Sequence, residues 1–113
     1  MASKKSIVDL ILFSLADAGD ITAKKMFGDY GLFLSGRMIG FIADDRLLFK
    51  PTSEGRRLFT SLTEDTPYPG AKPCFLVPEE DWNKRAWLAR LAIATAAEFP
   101  LPKKKSKKNR KNA

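Results

Sequence analysis

The sequence predicts a mixed α+β domain: a two-layer fold in which an antiparallel sheet of about five strands carries helices packed on one side. Three observations point there. The chain opens with apolar residues at helical spacing, continues with four short apolar runs separated by turn pairs, and closes with a second long helical pattern. At 113 residues it is one domain, and such a chain buries only roughly 60–70% of its unfolded surface.

The element order reads α-β-β-β-β-α-β-α. Ser6-Ile7-Val8-Asp9 has the form of a capping box opening a helix over 6–18. Ile7, Leu10, Ile11, Phe13 and Leu15 form its apolar face, and Gly19 suits the residue that ends it. Strands follow at 21–27, 30–34, 37–43 and 46–50 as an antiparallel meander. They are separated by Gly28-Asp29, Ser35-Gly36 and Asp44-Asp45, pairs that tolerate the positive φ of tight hairpins. In the third strand Met38, Gly40 and Ile42 alternate with Ile39, Phe41 and Ala43, so both faces are apolar. A one-sided sheet alternates apolar with polar residues, so the second face needs its own cover, a helix or a second subunit.

Thr52 is placed to cap a second helix, with Glu54 near its positive end and Leu58, Phe59 and Leu62 as its buried side. Residues 63–73 read as a loop, and Cys74-Phe75-Leu76-Val77 as a fifth strand. Pro78-Glu79-Glu80-Asp81 opens the last helix. Its stripe is Trp82, Ala86, Ala89 and Ile93, widened by Leu88, Leu91 and Ala92, and Pro100 and Pro102 end it. Trp82 and Trp87 fall about 140° apart around a helix. One is therefore core, and the other, part-exposed, is a candidate interface anchor.

The net charge of +7 sits in one place. Lys103, Lys104, Lys105, Lys107, Lys108, Arg110 and Lys111 are all of the charged residues in 103–113, which leaves 13 basic and 13 acidic residues on 1–102. The body, 1–102, is neutral, and the tail, 103–113, is a like-charged block that cannot pack and is expected to be disordered. Two readings of the tail stay open: an arm for nucleic acid or another polyanion, and a solvated, solubilising tail. Neither implies base-specific recognition, because phosphate contacts carry no direct sequence information.

Catalytic chemistry finds little support. The chain has no histidine, which removes the commonest general base, the Ser-His-Asp triad and histidine metal ligands. Its single cysteine, Cys74, allows neither an internal disulfide nor a Cys-rich zinc site and reads as a buried, inert thiol. Asp44-Asp45 is explained by its turn, where Arg46 is placed to pair with one of the two, and Glu79-Glu80-Asp81 by the helix dipole. Neither cluster has a metal-ligand spacing. Tyr30, Phe33 and Phe41 lie on the sheet, where aromatics stack unpaired bases in some proteins, but core packing is the favoured reading. The longest apolar stretch, near 7–13, is interrupted by Asp9, too short to span a membrane and unlike a signal peptide. No cofactor, no membrane contact and no small-molecule substrate are expected, and the cytoplasm is the expected location.

Lys25-Met26-Phe27-Gly28-Asp29-Tyr30-Gly31-Leu32-Phe33-Leu34 resembles the opening signature of the TfoX/Sxy N-terminal domain, in which a basic residue precedes Met-Phe-Gly, a spacer and an aromatic-containing Gly-Leu strand. The run from Gly36, Arg37 and Met38 through Ala43, Asp44 and Asp45 to Leu47 is similar to its second half, and Tyr68-Pro69-Gly70 fits the family's next loop. The similarity spans about residues 5–99. It implies an α+β domain like the small secretion-chaperone-like folds. It also implies kinship with regulators of natural DNA uptake, which act on transcription with a cyclic-AMP receptor protein and carry a second, C-terminal helical domain. After residue 102 this sequence leaves no room for that second domain. Within the motif, Gly28, Gly31 and Gly36 are expected to serve turns or close packing, Met26 and Phe27 the core, and Lys24, Lys25 and Arg37 a solvated face. Tyr30, Ala43, Asp44 and Asp45 complete the motif. The expected function is a non-catalytic regulatory module with a protein partner, whether transcription machinery or a second copy. The alternative is an accessory nucleic-acid binder working through the tail.

If all seven tail charges engage duplex phosphates, log K falls against log salt with a slope of about −6. Binding of labelled duplex by the full chain and by 1–102 across a salt series measures this. A tail-driven mode requires that the shortened chain lose it.

Overall fold

The computed structural model describes residues 3–26 and 28–99. Phe27, Pro100 and the tail, with its seven cations, lie outside the described residues. Six strands form one open antiparallel sheet: β1 (Ile21–Met26), β2 (Asp29–Leu34), β3 (Arg37–Ala43), β4 (Arg46–Phe49), β5 (Thr63–Asp65) and β6 (Cys74–Val77), in the order β1-β2-β3-β4-β6-β5. The fold class is α+β, with the expected meander at one side of the sheet. The added strand is β5, inside the segment read as a loop. Its three residues are all exposed, so no apolar alternation marks it. Pairing with β6 and the 2.6 Å Arg46–Asp65 ion pair hold it in place. Arg46 is thus drawn across the sheet to Asp65 instead of pairing within its own hairpin. The Thr66 N–H and Arg46 together keep the Asp65 carboxyl below its ordinary range.

The turn pairs behave as their chemistry requires. Ser35 and Gly36 have φ of 51° and 85°, and Asp44 and Asp45 have 53° and 61°. Positive φ at both central residues is the two-residue hairpin geometry that matches strand twist.

Strict alternation fails in β3. Leu32 pairs with Gly40 but Phe33 pairs with Met38, so Ile39 is an extra, bulged residue. Ile39 and Ile42, expected on opposite faces, therefore both enter the helix-side core, while Phe41 and Ala43 face away with Leu48, Cys74 and Leu76.

Three helices lie on the first face: α1 (Lys5–Ser14), α2 (Ser53–Arg57) and α3 (Arg85–Glu98). The expected capping box is absent. Lys4 is the N-cap residue, Ser6 lies within the helix, and Asp9 pairs with Lys5 at 3.1 Å. α1 buries Val8, Ile11 and Ser14, and Leu15 follows them into the core, while Leu10 and Phe13 face solvent at 42% and 65% exposure. Thr52 caps α2 as expected, its Oγ1 accepting from Gly55 N at 2.9 Å. Leu58, Phe59 and Leu62 come after α2 and are half-buried.

The last helix begins later than predicted. Residues 79–81 form a 3-10 turn, and Trp82 enters the core ahead of α3, its Nε1 donating to Val77 O at 3.0 Å. That break resets the helical phase. The buried face becomes Leu88, Leu91, Ala92, Thr95 and Ala96, and Ile93, placed on the expected stripe, is 52% exposed. Trp87 is half-buried, donates to Leu58 O at 2.8 Å and meets Phe59 edge-on, whose ring meets Phe75 in turn. No helix among the described residues is long and apolar enough to cross a membrane.

Gly40 lies beside the bulge with no room for a side chain. A Cβ there would run into Leu48 O and lie 2.9 Å from Phe49 Cα, both backbone atoms. Gly40→Ala is expected to cost about 3 kcal/mol or more in urea denaturation, at the upper end for overpacking, because backbone cannot rotate away.

Candidate functional site

The structure gathers most of the motif residues at one end of the sheet. Met26 ends β1, Gly28 forms the next turn with φ 78°, and Tyr30 pairs with Ile42 beside Ala43, Asp44 and Asp45. Gly36 and Arg37 lie at the opposite end, where Arg37 Nε is buried without a hydrogen-bond partner among the described residues.

At the first end three carboxylates and a serine tie the start of the chain to two hairpins. Asp29 accepts from Ser3 N at 3.0 Å and from Asp44 N at 2.7 Å. Asp45 accepts from Lys4 N at 2.8 Å, and its own N–H donates to Ser3 Oγ at 3.0 Å. Ionised acceptors make these the stronger kind of hydrogen bond. They fix where α1 begins, which is why Lys4 rather than Ser6 stands at its cap. Asp29 is the hub of this latch. The sequence shows it as a turn residue, and nothing in the sequence marks Ser3, 26 positions away, as its partner.

A second feature is a groove of about 680 Å³ between α1 and the segment leading into α3, lined by Leu10, Phe13, Ser14, Glu79, Glu80, Trp82, Asn83 and Arg85. The Arg85 guanidinium lies 4.4 Å from the Phe13 ring centroid. It also pairs with both Asp17 oxygens, at 3.2 and 3.1 Å. The ion pair holds the cation against the ring, so Phe13 is presented in a fixed position. Sequence spacing placed Leu10 and Phe13 on the buried face. The usable signal was excess: residues 7–15 carry more apolar side chains than one face of a helix can bury.

The third feature is the far face of the sheet. Gly31 opens space there: a Cβ would lie 2.7 Å from Met26 Sδ, 3.1 Å from Phe33 Cε1 and 3.3 Å from Met38 Cε. The predicted second cover is partly supplied by the chain itself, since residues 66–73 fold over this face and Tyr68 meets Phe41 edge-on at 6.0 Å. Cys74 is buried beneath them, and burial pushes its thiol pKa up. The thiol therefore stays neutral to higher pH and is a poor nucleophile. Among the described residues no group of three or more His, Cys, Asp or Glu side chains is placed to hold a metal ion.

An open antiparallel sheet with helices on one face, a carboxylate latch and no assembled acid–base pair define a small α+β domain built around surfaces. The chain belongs to the TfoX N-terminal domain family, whose model matches residues 14–99. It is also similar to a Spirochaeta aurantia protein described as an uncharacterized 12.7 kDa protein in the trpE 5' region. The two are 31% identical over 110 residues, which is 97% of this chain and 95% of that one.

Asp29→Ala is expected to lower stability by about 1–2 kcal/mol, the scale for losing hydrogen bonds to a charged, part-exposed acceptor. It should also speed tryptic cleavage at Lys4 and Lys5. Asp29→Asn, which keeps one acceptor, should lose less. Equal cleavage rates for wild type and Asp29→Ala would show that the latch does not hold the N-terminal segment.

Proposed function

We propose that this domain is a non-catalytic regulatory module that works by docking the apolar face of another protein chain into the α1–α3 groove. The observation that carries the reading is Phe13. It is 65% exposed, backed by Arg85 and flanked by Leu10 over a groove floored by Trp82. An aromatic anchor beside a pocket is the usual centre of binding energy in an interface. Holding the ring in place beforehand lowers the entropic cost of binding. Membership of the TfoX N-terminal domain family supports a regulatory role connected with competence. A photo-crosslinking residue at position 13 tests the reading in cells. Discrete adducts from position 13, absent from a control at exposed Thr22 and lost when Leu10→Asp is added, are expected. Adducts to this same chain would make the partner a second copy. No adduct above the control would refute groove docking.

A second reading has its own observation. Phe99, the last described residue, lies on the far face beside Lys50 and Lys72, and the seven tail cations follow it in sequence. In this reading the domain positions a polyanion-binding arm, and the salt dependence set out above measures it.

A further inference from the structure

The far face of the sheet plays no part in groove docking, and its composition is distinctive. Between residues 66–73 and the end of α3 lies a pocket of about 370 Å³ whose lining includes Phe41, Lys50, Tyr68, Lys72 and Phe99 and no carboxylate. Along the same face towards β1 come Phe33 and Met38, with Lys24 Nζ 5.2 Å from the Phe33 ring centroid. Lys50 Nζ stands 4.1 Å from the Phe99 ring centroid. Half-exposed rings thus alternate with ammonium groups from the β1 edge to the pocket. The chain then continues from the pocket rim into residues 100–113, which carry seven positive charges and no negative one.

We propose that this face and the tail together form a binding surface for single-stranded nucleic acid. Unpaired bases would lie against the Phe33 and Phe41 rings, and phosphates would meet Lys24, Lys50, Lys72 and the tail. The inference rests on the polyanion reading of the tail and names its ligand. Rings on a sheet reach only bases that are not already paired and stacked, so a duplex would meet the tail alone. Charge selects the class of ligand. Lysines with no nearby carboxylate suit a polyanion, whereas the α1 groove carries Glu79 and Glu80 on its rim. The neutral total of 1–102 hides this, because its acids lie largely elsewhere.

The test is fluorescence anisotropy of the full chain with a labelled single-stranded RNA, the same sequence as single-stranded DNA, and its duplex, each over a salt series. Single strands are expected to bind about tenfold tighter than the duplex, the scale of one stacked base. Phe33→Leu should remove most of that preference while leaving the salt slope and duplex binding unchanged. Lys24→Gln, an exposed change that does not challenge folding, should reduce the single-strand slope by about 0.7. A full-length variant with the seven tail cations changed to Gln should flatten the slope for every ligand yet keep the single-strand preference. Equal binding of single strands and duplex with a silent Phe33→Leu would overturn the role of the sheet and leave the tail reading standing. No binding of any nucleic acid at low salt would overturn both. Displacement of the RNA by polyglutamate at equal charge concentration would assign the face to an acidic protein and likewise overturn the inference.

Discussion

A sheet of six hydrogen-bonded strands has two faces of side chains to shield, and in this protein the helices reach only one of them. That imbalance governs the rest of the structure. On the first face α1, Trp82 and α3 close over Leu32, Leu34, Ile39, Ile42, Leu47, Phe49, Phe75 and Val77, a continuous dry core. The bulge at Ile39 serves the same side, since one extra residue in β3 turns a second isoleucine towards the helices. On the other face Ala43, Leu48 and Cys74 are buried by neighbouring strands and by residues 66–73, and Phe33, Met38 and Phe41 stay half-exposed. Gly31 and Gly40 mark how closely backbone and side chains approach around β2 and β3.

The family signature has a physical explanation at the motif-rich end of the sheet. Asp29 and Asp45 accept backbone hydrogen bonds from the chain's first described residues, and Asp44 donates its N–H to Asp29. Two hairpin turns and the start of α1 are thereby held as one unit. A turn aspartate is common wherever positive φ is needed. Here the same carboxylates also do the work of capping, which leaves the Ser6 side chain without that role.

Both proposed surfaces arise from apolar residues in excess of the core. α1 has more of them than its buried stripe can use, and the surplus, Leu10 and Phe13, borders the groove under the control of the Arg85–Asp17 pair. The meander has apolar residues on both faces, and the surplus there lies among lysines. The carboxylates around one surface and the lysines around the other suit different partners, so protein docking on the helix side and nucleic-acid contact on the sheet side do not compete for space.

The sequence by itself determined the α+β class, the four-strand meander with its turn pairs, the Thr52 cap and the placement of all excess charge in 103–113. These are local properties: φ preferences, short periodicities and counts of charge. It also carried the TfoX/Sxy N-terminal signature. Tertiary structure alone decided which apolar residues were left over. Phe13 and Ile93 sit at helical spacing with buried neighbours, and only the packing angle of α1 and the phase reset at Trp82 turn them outward. β5 has no apolar pattern to read because partners elsewhere in the sheet hold it. Ser3 joins Asp29 only because two hairpins end at the same edge. Periodicity says that a residue is apolar on a given side of its own element. Which side meets the core depends on elements far away in the chain, and in this protein that choice creates every candidate surface.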